Sequence, residues 1–70
     1  MAWTRNRDGD LIGTWSRNRH SHAVITRKGR GFYAWSIHRN DGHMDVSSFG
    51  HETSERLAKR AARAVLERTE

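Results

Sequence analysis

The segment Phe32-Tyr33-Ala34-Trp35-Ser36-Ile37-His38-Arg39 constrains this chain more than any other, because it alternates and is bracketed by turn signals. In extended backbone, successive side chains point to opposite faces. Tyr33, Trp35 and Ile37 therefore share one face, and Phe32, Ala34, Ser36 and His38 the other. Before it lies Arg27-Lys28-Gly29-Arg30-Gly31, a glycine-containing hairpin loop, and after it Asn40-Asp41-Gly42, a favoured Asp-Gly hairpin turn. The flanking segments Ser21–Thr26 and His43–Phe49 are rich in β-forming residues. These signals predict antiparallel strands near 21–27, 31–39 and 43–49, with Gly50 ending the last.

The pattern then changes period. Leu57, Ala58, Ala61, Ala62, Val65 and Leu66 recur at helical spacing, while Arg56, Lys59, Arg60, Arg63 and Glu67 fill the rest of the arc. Thr53 or Ser54 can accept from the first free N–H groups, and Glu55 suits the positive end of the helix dipole. A helix over 53–68 follows, with an alanine face that lets it lie close to a sheet.

The first twenty residues hold an echo, Trp3-Thr4-Arg5-Asn6-Arg7 and Trp15-Ser16-Arg17-Asn18-Arg19, around the turn Asp8-Gly9-Asp10. They form either a hairpin or a disordered basic arm carrying Arg5 and Arg7, with Trp3 the aromatic expected at the surface. The expected fold is α+β: an antiparallel three- to four-stranded β-meander packed against one C-terminal α-helix. It is one domain over 1–70, with an N-terminal basic arm or hairpin at 1–20, the meander at 21–49 and the helix at 53–68.

Seventy residues with 34% hydrophobic content make a thin core, in which three Trp, two Phe and one Tyr must do much of the burying. A second copy would add burial, so a homodimer is possible. The chain has no cysteine, which excludes disulfides and thiolate chemistry and favours a reducing, cytoplasmic setting. The polar start Met1-Ala2-Trp3-Thr4-Arg5 has no signal-peptide or membrane-span pattern behind it.

The net charge is +5, and eleven of the thirteen basic residues are Arg. Residues 1–39 carry eight basic and two acidic groups, +6 in all, whereas residues 40–70 carry five and six, −1 in all. A high-GC genome explains the Arg excess but not this clustering. The asymmetry points to a polyanion, nucleic acid first and DNA ahead of RNA. Arg suits phosphate because its planar fork bonds two oxygens at once. The candidate contacts are Arg17, Arg19, Arg27, Lys28, Arg30 and Arg39, with Arg5 and Arg7 on the arm. Phe32 or Tyr33 beside the basic loop can stack on a base. The competing reading of the loop is an ordinary solvated hairpin tip. The amides of Asn18 and Asn40 are candidates for reading adenine.

Five histidines, His20, His22, His38, His43 and His51, match no zinc spacing, so neither a metal nor a cofactor is expected. No phosphate-cradling glycine loop or serine elbow occurs, so no enzymatic activity is expected. The one enzymatic option places His20 or His22 as general acid or base in an RNA-cleaving toxin.

The strand order with its central Tyr33-Ala34-Trp35-Ser36-Ile37, then Phe49 and a capped helix, resembles DNA-binding domains that lay a three-stranded sheet in the major groove. Integrase arm-type domains and plant ethylene-response domains are examples. The resemblance implies DNA contacts from the exposed sheet face and from the loop Arg27–Arg30. Residues 53–66, with Ala61-Ala62, are similar to the last helix of double-stranded-RNA-binding domains. Those domains carry a Lys pair where this chain has Ser54-Glu55, and a first helix that it lacks. The whole chain also resembles the small orphan proteins of actinobacteria and their phages, which implies an accessory or regulatory role and no particular chemistry. Three functions follow in order: a small basic, non-enzymatic nucleic-acid-binding protein; a phage-type modulator that binds and inhibits a host protein; and a toxin-like ribonuclease.

Overall fold

The structure is a computed structural model that describes residues 1–40 and 46–68. Five strands run β1 (Ala2–Arg5), β2 (Leu11–Trp15), β3 (Asn18–Gly29), β4 (Phe32–Arg39) and β5 (Val46–Glu52), followed by helix α1 (Glu55–Arg68). They form one antiparallel sheet in sequence order, β1-β2-β3-β4-β5, and α1 packs on β3, β4 and β5. The α+β meander is as expected, but the strands number five, because residues 2–15 pair as a hairpin instead of forming a loose arm.

The hairpin turn is built by Asn6. Its Oδ1 accepts from the backbone N–H of Asp8 and Asp10, at 3.0 and 2.9 Å, while Gly9 supplies the left-handed step at φ +85°. The pentapeptide echo does not pair with itself. Trp3 lies across from Gly13, whereas the second copy is split, Trp15 closing β2 and Asn18 opening β3. β3 extends well beyond the expected 21–27.

Alternation sorts the sheet into two faces. Leu11, Ala23, Ile25 and Ile37 point to the helix and are buried against Ala58, Ala62 and Leu66. Three alanine-sized positions at the seam let the axis sit close to the sheet, and Leu66 fills the far end. Leu57 and Val65 are only half-buried. Ser54 caps the helix: its Oγ accepts from Leu57 N–H at 3.2 Å, so the first helical residue is Glu55 and not Thr53.

Two tryptophans frame the helix. Trp3 and Trp35 each touch both halves of the core, and each indole lies over a glycine directly across the ladder, Gly13 and Gly50. Trp3 is therefore half-buried, not at the surface, and Lys59 Nζ sits 5.7 Å from the centre of its ring. Gly50 does not end the last strand. The strand runs through it to Glu52, and a side chain at this position would collide with Trp35. The expected turn at Asp41-Gly42 and the strand start at His43 lie outside the described residues.

Candidate nucleic-acid interface

The eight cations singled out in the sequence fall into two groups. β1, β3 and β5 all run towards the end of the sheet where α1 begins. That end collects Arg5, Arg7, Arg27, Lys28 and Arg30. Arg5 is fixed there: it donates to Gly9 O at 2.8 Å and pairs with Glu55 at 3.2 Å. Arg5, Arg27, Tyr33 and Glu55 line one small cleft. Arg7 is exposed in the hairpin turn, and Arg30 in the loop before Gly31, whose φ is +68°.

Arg17, Arg19 and Arg39 stand at the opposite end, where α1 finishes. Eight residues of extended β3 separate Arg19 from Arg27, about 26 Å at ~3.3 Å per residue. Arg17 lies 5.8 Å from the centre of the Trp15 ring. Arg19, His20, Arg39 and Asn40 line a shallow cleft. The two asparagines proposed as base readers are occupied by the fold. Asn18 is 2% exposed, donates Nδ2–H to Leu66 O at 3.0 Å and accepts from His20 N–H. Asn40 donates to Arg19 O at 2.8 Å and takes the His22 Nδ1–H on its Oδ1.

The sheet face turned away from the helix carries a different chemistry. Its outward positions are Ala2, Thr4, Ile12 and Thr14 on the first hairpin, and His22, Val24 and Thr26 on β3. Phe32, Ala34, Ser36 and His38 follow on β4, and Phe49 and His51 on β5. None of them is Asp, Glu, Lys or Arg, in a chain where 30% of residues are of those four types. No layer of the described chain covers this face.

Its rings are ordered. Phe32 stacks on His51 with centroids 4.8 Å apart and planes 17° apart. His22 and His38, directly across the ladder, stack at 5.5 Å with the same 17°. Between these pairs stands Phe49, 74% exposed, while Phe32 is 46% exposed. His38 Nε2 and Ser36 Oγ are 2.7 Å apart, and partial burial, then the neighbouring His22, pushes the His38 pKa below the usual imidazole value.

No family model, curated protein or solved structure matches this chain. Sequence spacing located the cationic hairpin and the outward set Phe32, Ser36 and His38. It did not place Phe49 and His51 on that face, because Gly50 read as a strand end. The helix adds a further set, Arg56, Lys59, Arg60 and Arg63. Their i, i+3, i+4 and i+7 spacing puts them on one arc, with Arg63 also paired to Glu67 at 3.3 Å. Among the described residues no three His, Asp or Glu side chains converge as a metal site. Among the described residues no helix is long and apolar enough to cross a membrane.

Proposed function

We propose that this protein binds nucleic acid as a non-enzymatic accessory factor. One observation carries the reading: basic side chains gather at both ends of the sheet, around a neutral face bearing five aromatic and imidazole rings. Phosphates need the cations and bases need the flat rings. The hairpin Arg27-Lys28-Gly29-Arg30 supports this best, since three cations there adjoin the exposed Phe32.

The test is an affinity titration against oligonucleotides at several salt concentrations. Each phosphate neutralised lowers the log–log slope by about 0.9 on duplex DNA, or about 0.7 on a single strand. Replacing Arg27, Lys28 and Arg30 together by Ala should flatten the slope by about two to three. Unchanged binding by that triple variant at every salt concentration would remove the hairpin from the interface.

One observation favours the second reading, a modulator of a host protein. Phe49 is exposed on β5, which is an edge strand with a free row of backbone groups in the described sheet. That reading predicts weak retention on nucleic acid and a stable complex with one protein in a pull-down.

A further inference from the structure

We infer that the nucleic acid taken by this protein is single-stranded, and that it lies along β4 and β5 on the uncovered sheet face. This rests on the nucleic-acid reading above and specifies its substrate class. The ring series begins beside the cationic hairpin with Phe32 and His51, continues through Phe49, and reaches His38 and His22 near Arg39. Six residues of β4 separate Phe32 from His38, about 20 Å, which suits the smallest single-strand sites of ~4 nucleotides.

Charge placement separates single strand from duplex. A duplex presents phosphates and hides its base faces in the stack, so a neutral face lined with rings offers it little. A single strand exposes base faces to stack on rings, and its phosphates remain free to reach cations at either end. Lys28 and Arg30 at the hairpin end and Arg19 at the other then flank one bound strand, while Arg27 and Arg39 stand across from Tyr33 and Ser21 on the helix side of the sheet. Stacking is tolerant of sequence, because every base has a π face. The site would therefore bind single strands with little base preference.

The test uses the full chain and three fluorescein-labelled probes of about twelve nucleotides, well above the smallest sites. The probes are oligothymidylate, oligouridylate and a mixed-sequence duplex, each titrated by anisotropy at about 50 and 200 mM salt. Phe49→Ala and Phe32→Ala remove exposed rings, so both should melt with the parent. Each should weaken single-strand binding by about 5- to 150-fold, the loss of one stacked base, with the salt slope unchanged. Phe49→Tyr should restore binding, because it restores the flat ring. Duplex binding tighter than single-strand binding, or both Ala variants binding single strands like the parent, would overturn the inference and leave the nucleic-acid reading standing. Failure of the parent to bind any probe at low salt would overturn both.

Discussion

Gly13→Ala probes the least obvious contact in the fold. A Cβ at Gly13 would lie 2.4 Å from one carbon of the Trp3 indole and 2.7 Å from two more, closer than carbon atoms approach. Elsewhere in a strand Gly→Ala is mildly favourable, by about 0.4–1 kcal/mol, because the unfolded chain loses freedom. Here overpacking opposes it, at about 1–3 kcal/mol. The penalty has a ceiling, since Trp3 lies on an edge strand and can swing out. Swinging out gives up no more than the burial of one large side chain, about 3 kcal/mol. The net expectation is a loss of about 1–2 kcal/mol, a fall in Tm of about 5–15 °C for a domain of this size. The decisive assay is a double-mutant cycle by thermal denaturation. Trp3→Ala alone should destabilise. In that background the indole is gone, and Gly13→Ala should become neutral or stabilising. If Gly13→Ala melts at or above the parent, the indole does not rest on the glycine and the packing argument is wrong. The same holds if its effect is identical in both backgrounds.

Leu66→Ala should destabilise by about 2–5 kcal/mol, since Leu66 is fully buried between Ala23 and Ile37. Leu57→Ala should cost less, because Leu57 is half-exposed, and equal melting temperatures for the two variants would contradict the assigned helix face. His38 has a lowered pKa, so the fold favours its neutral form. Its share of stability is present above the ordinary imidazole value near ~6.5 and is lost as pH falls through the folded value. Tm should therefore decline modestly below about pH 6.5, and His38→Gln should flatten that part of the profile; an unchanged profile would refute the assignment.

Periodicity carried the central architecture. The alternation of residues 32–39 and the helical stripe of residues 57–66 each report burial on one face, which is a local property of the chain. Details were lost where a residue's role depends on a partner distant in sequence. Gly50 reads as punctuation until Trp35 is seen lying over it, and Gly13 reads as nothing until Trp3 is placed. Asn18 looks like a surface amide, yet it ties the start of β3 to the last turn of the helix, forty-eight positions away. The alanine stripe was legible, but not which residue in it would anchor the helix. That depends on where the axis crosses the sheet.

Charge was the most legible property and the least informative about place. Counting by sequence put +6 on residues 1–39, as if half the chain made one basic surface. A meander defeats that reading, because each strand returns the chain to the end it left. Neighbouring turns in sequence therefore lie at opposite ends of the sheet. Cations in the turns and strand ends divide between those ends, and outward side chains along the strands set the character of the face between. In this chain the outward set is neutral and includes Phe49 at 74% exposure. An uncovered sheet face with no charge invites self-association, which soluble domains usually limit with charged residues. Here positive charge stands at the two ends of that face, where it opposes the approach of a second copy. On the proposed reading, the same arrangement attracts a polyanion whose bases are free to meet the rings.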